Sequence, residues 1–95
     1  MSRGSIVVSD PWEVASILGG EPLTGTFVIN TAESATFRLD QSIRVNGVEM
    51  KSGEVMIRHL GTSFVEHCRA VPANILFLSD EPTSSCSAIG TVSVD

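Results

Sequence analysis

Asn46-Gly47 is the dipeptide that most constrains this chain, because both residues tolerate the positive φ of a two-residue type I′ hairpin turn. A reversal there pairs Val45 with Val48, Arg44 with Glu49 and Ile43 with Met50. Directly opposed residues share a face of the ribbon, so Ile43, Val45, Val48 and Met50 form one apolar face. Arg44 and Glu49 meet on the other face as an opposite-charge pair. The hairpin thus accounts for its own charged residues and leaves no chemistry over.

Other segments carry the same period of two. Residues 23–30 send Leu23, Gly25, Phe27 and Ile29 one way, and residues 35–40 turn Ala35, Phe37 and Leu39 inward. Lys51-Ser52-Gly53 reads as a break after the hairpin, with a strand resuming over 54–60. Residues 74–78 are apolar enough for a strand buried on both faces, 79–87 read as a loop, and 88–94 alternate again. Residues 5–9 fit a short edge strand or an ordered lead-in. Closing the last strand against an early one would remove exposed edges.

A short helix is predicted over 11–18. Asp10 is an N-cap type, Pro11 suits the first helical position and Glu13 sits where a capping box wants a carboxylate. Val14, Ile17 and Leu18 recur at helical spacing, and Gly19-Gly20 ends the run. Residues 61–70 fit two descriptions, a strand turning back on 54–60 or a helix with Ser63 and Glu66 as a capping box. The helix is preferred, because its capping has a mechanism and Val71-Pro72 would end it. These elements make a strand-dominated α+β fold: a small, mainly antiparallel curled sheet or barrel with one or two short helices, in a single domain over 1–95.

Charge and composition exclude more than they assign. The net charge is −5, and the six basic residues are scattered without a basic run, which argues against nucleic-acid binding. No window approaches the ~18–20 apolar residues of a membrane helix. Cys68 and Cys86 are expected to be unpaired thiols in a reducing cytoplasm. With 42% hydrophobic and only 18% charged residues, a chain of 95 residues has apolar surface to spare. That surplus predicts a homodimer, at the edge strands 23–30 or 88–94.

Candidate catalytic groups are few. Neighbouring His67 and Cys68 point apart on a strand or a helix, and His59 with Cys68 forms a dyad only across the Gly61 turn. The competing reading of Cys68 is a small buried hydrophobe. The pool of metal ligands is His59, Glu66, His67, Cys68 and Asp80, which has no metal-ligand spacing if 63–70 are helical, and no phosphate loop or nucleophile elbow occurs, so no metal and no cofactor is expected. Arg58 and His59 are the exception. One of them points toward the core whichever face of 55–60 is buried, either paired with Glu54 or Glu66 or lining an anion pocket together with Arg38. Trp12 reads first as a core cover beneath the helix, and otherwise as an exposed interface anchor beside Val28.

Asp10-Pro11-Trp12-Glu13, the run from Leu18 to Gly25 and Arg58-His59-Leu60-Gly61 resemble small uncharacterised bacterial proteins over roughly the first two-thirds of the chain. The resemblance implies a bacterial, cytoplasmic setting and carries over no functional residue. The leading expectation is therefore a non-enzymatic module that binds a protein, first of all itself. The alternative is a small anionic-ligand pocket or enzyme using Arg58 and His59. A binder of a basic partner follows from the charge of −5 alone.

Overall fold

The computed structural model describes residues 1–17, 20–58, 69–79 and 84–95. Strands β1 (Ser2–Asp10), β2 (Leu23–Ile29), β3 (Ser34–Val45), β4 (Val48–Ile57), β5 (Val71–Ser79) and β6 (Ser85–Val94) pair antiparallel, each with its neighbour in sequence. β6 returns to β1 and closes the barrel. Closure removes the two edges proposed for dimerisation, since β2 lies between β1 and β3, and β6 between β5 and β1. It also makes residues 5–9 part of a long wall strand rather than an edge.

The hairpin forms as the dipeptide dictates. Asn46 and Gly47 have φ of 51° and 80°, and Ile43 faces Met50, Arg44 faces Glu49 and Val45 faces Val48. One detail differs: the carboxylate of Glu49 pairs with Lys51 on its own strand, at 3.3 Å, rather than with Arg44. Lys51-Ser52-Gly53 is not a break either. It continues β4 with a register shift between Met50 and Ser52, so one strand takes the place of two.

Inward alternation builds a single core. Phe27, Phe37 and Phe77 stack across it, with ring centroids 5.9 and 5.7 Å apart and the second pair edge-on at 82°. Gly53 lies between Phe37 and Phe77 in the same cross-strand row. A Cβ there would run into the Leu76 carbonyl oxygen and the Phe37 ring, so the strands approach closely only because the side chain is missing. Inward Gly4, Gly25 and Gly90 stand equally close to the backbone of a neighbouring strand, which lets a small barrel curl.

The register is strongly staggered. The row beginning at Ser2 passes through Phe27, Phe37, Gly53 and Phe77 to Cys86, which falls beyond the Asp10–Ile89 pair at the end of β1. Helix α1 (Trp12–Ile17) follows β1 at that end, packs against it and seats Val14 in the core, 4% exposed. Its first turn is closed by the Pro11 carbonyl, which accepts from the N–H groups of Val14 and Ala15 at 3.1 and 3.0 Å. Asp10 ends β1 opposite Ile89 instead of serving as the predicted N-cap. Trp12 is 74% exposed, which overturns its reading as a core cover.

Two further expectations change. β5 is fully buried on its inner face only, at Ala73, Ile75 and Phe77, while Asn74 is exposed and Leu76 half-buried. Ile29 keeps to the face of Phe27, opposite Ala35, and is 37% exposed where β2 ends. β6 begins at Ser85, inside the expected loop. The helix-or-strand question over 61–70 lies outside the described residues up to position 68. Among the described residues, no helix is long and apolar enough to cross a membrane.

Candidate functional site: a groove on the outer wall

One cross-strand row defines the main concavity. Ser34 faces Met56, Met56 faces Asn74, Asn74 faces Ile89 and Ile89 faces Asp10, so the row runs from β3 through β4, β5 and β6 to the end of β1. The next outward row contributes Glu54, Leu76 and Ser87. Together with Asn30 at one end and Pro11 at the other, they line a groove of about 860 Å³. The groove lies outside the barrel. The inward residues at the same level, Ala35, Val55, Ile75 and Ala88, are at most 5% exposed, so the lumen there is packed. Met56, by contrast, is 57% exposed in the middle of the floor.

Why the floor is apolar follows from β4 and β5. Val55, Met56 and Ile57 are consecutive apolar residues, as are Ile75, Leu76, Phe77 and Leu78. A strand in a closed barrel buries one face in the lumen, so the second apolar set must face out. Among the described residues, Asp10 and Glu54 are the acidic residues of the lining, and none is basic.

The residues singled out from the sequence fall around this groove rather than in it. Arg58 lies just past the end of β4, two positions beyond Met56, exposed and with its N–H donating to the Pro72 carbonyl at 3.1 Å. Of the pair Arg58 and His59, one of them expected to point toward the core, Arg58 is the exposed one. His59 lies outside the described residues, as do His67 and Cys68. Arg38 is exposed on β3 opposite Ser52, six positions along β4 from Arg58 and so about 20 Å away. The barrel does not bring the two arginines together. Val28, 42% exposed, stands opposite Thr36, which in turn faces Glu54, so it continues the second row two strands beyond Glu54, outside the lining. Trp12 directly follows Pro11 at the other end. The residues that sequence reasoning missed are Met56, Leu76 and Ile89. Apolar residues on both faces of 55–57 and 74–78 were the available signal.

The opposite wall is chemically different. Arg3 on β1 reaches over β2 to Asp40 on β3, with Nη1 donating to Oδ1 at 2.7 Å and Nη2 pairing with Oδ2. Thr24 donates to the same carboxylate at 3.0 Å, and Arg3 donates to the Thr26 hydroxyl at 3.2 Å. Hydrogen bonds from Arg3 and then Thr24 hold the Asp40 carboxyl at about 2, well below the usual carboxylate range. Cys86 is a free thiol, and burial pushes its pKa up, which disfavours a reactive thiolate. Among the described residues, no group of three or more metal-ligating side chains converges.

Comparisons with protein families, with curated proteins and with solved structures found no match. The functional reading therefore rests on the groove and the wall around it.

Proposed function

We propose that this chain is a non-catalytic protein-binding module that docks its partner along the outer groove of β4–β6. The observation that carries the reading is Met56, more than half exposed on a floor shared with Leu76 and Ile89. Exposed apolar concavities of this kind mark interaction sites on soluble domains. The reading puts the module in a bacterial cytoplasm, a compartment in which a free thiol such as that of Cys86 stays reduced. A photo-crosslinking residue placed at Met56 in cells should give a defined protein adduct. Adding Leu76→Lys should abolish it, and the same residue placed at Arg38 on the polar wall should give none. Equal adducts at both positions, or none at position 56, would overturn the reading.

A second reading is homodimerisation through Val28, 42% exposed on the outer face near the end of β2. Light scattering should then give twice the chain mass of 10.1 kDa, falling to 10.1 kDa in Val28→Lys. A monomer mass at every dilution would rule out the dimer and leave the groove reading standing.

A further inference from the structure

We infer that the groove's occupant is an extended apolar segment of another protein carrying lysine or arginine at its ends. This rests on the groove reading above and adds the partner's chemistry. The charge of the groove carries the argument. Among the described residues, its titratable lining residues are Asp10 at the β1 end and Glu54 on the second row, both acidic and exposed, on a chain of net charge −5. Arg58 stands beyond Met56 on the opposite bank, outside the lining.

The dimensions set the form of the segment. Four interstrand steps separate Ser34 on β3 from Asp10 on β1, which makes the floor about 19 Å long. An extended chain of about six residues spans that distance. Its apolar side chains would cover Met56, Leu76 and Ile89, and its cationic ends would reach Asp10 and Glu54. Apolar contact supplies the affinity, and the two acids select the partner. A second copy is the poorer occupant. Groove against groove about a two-fold axis would set Asp10 and Glu54 of one copy against the same acids of the other, on two chains of charge −5.

Three capped peptides of about six residues test this against the full chain: leucine-rich, with terminal lysines, glutamines or glutamates. Methyl NMR of Met56, Leu76 and Ile89 reads the site, and the titrations read affinity. The lysine peptide should shift these methyls and bind about tenfold more tightly than the glutamine peptide, with the glutamate peptide weakest. The margin should vanish in about 1 M salt, where screening is nearly complete. Asp10→Asn with Glu54→Gln should lower the lysine peptide to the glutamine peptide's affinity and leave the latter unchanged. Both residues are exposed, so the variant should keep the wild-type circular dichroism. Equal binding of lysine and glutamine peptides at the groove would overturn the partner chemistry while sparing the groove reading. If no peptide moves the groove methyls, both fall. Shifts of these methyls on concentrating the protein alone would assign the groove to a second copy and overturn the inference.

Discussion

Across β1–β3 the outward face carries a hydrogen-bonded polar cluster around Arg3 and Asp40, with Val7 and Val28 exposed singly beside it, whereas across β4–β6 it holds an apolar groove with acids at its margins. Arg3, Thr24, Thr26 and Asp40 answer one another's hydrogen-bonding groups on the first wall. Met56, Leu76 and Ile89 have no equivalent arrangement on the second. Both walls enclose the same aromatic and aliphatic core, so stability does not require the difference outside. A polar wall is the ordinary solution for a sheet facing water. Departing from it keeps apolar surface in water without serving the core, and that is why the β4–β6 wall is the one read as functional.

The strongest way to break the comparison is to strike the core that both walls share. Gly53→Val should destabilise the barrel by about 3 kcal/mol or more, because the new side chain meets the Leu76 backbone and the Phe37 ring. Chemical denaturation should show both walls lost in one transition. Survival of the Arg3–Asp40 pair after the groove has melted would instead make the walls separate units.

Gly47→Val acts at the hairpin that joins the two walls. Nothing lies within 4 Å of a Cβ at Gly47, so the cost is conformational alone, set by a φ of 80° that a β-branched residue resists. A loss of about 1–3 kcal/mol is expected. Unchanged stability would mean that the turn can re-form around valine.

The smallest effect belongs to the polar wall. Asp40 is held at about 2 in the folded chain against an ordinary 3.8. A depressed folded value stabilises the fold above the ordinary value, and that contribution is lost as pH falls from near 4 toward 2. The pair is exposed, so salt should weaken it. Carboxyl NMR of Asp40 should titrate near 2, and Arg3→Ala should move the midpoint toward 3.8 without shifting the groove methyls. A midpoint that stays low in Arg3→Ala would show that Arg3 is not the cause.

Local chemistry was legible wherever neighbouring residues settle it. Asn46-Gly47 specified the reversal and its register because two positive-φ positions leave little choice. The strict alternation of 35–39 named Ala35, Phe37 and Leu39 as core correctly. Val14 was legible for the same reason, since helical spacing points to it as a core residue.

Only the closed barrel decided the rest. Lys51-Ser52-Gly53 looks like a turn in isolation and becomes a bulged strand because Leu76 and Phe37 press against Gly53 from elsewhere in the chain. Trp12 carries the composition of a core residue but lies outside, since the staggered register gives α1 room to bury Val14 and leaves the adjacent residue in solvent. The groove was beyond sequence reasoning for the same cause. Ser34, Met56, Asn74, Ile89 and Asp10 are scattered along the chain and become neighbours only through cross-strand register. Alternation tells a strand that it has two faces. Which of two apolar faces meets the lumen is settled only when all six strands close around it.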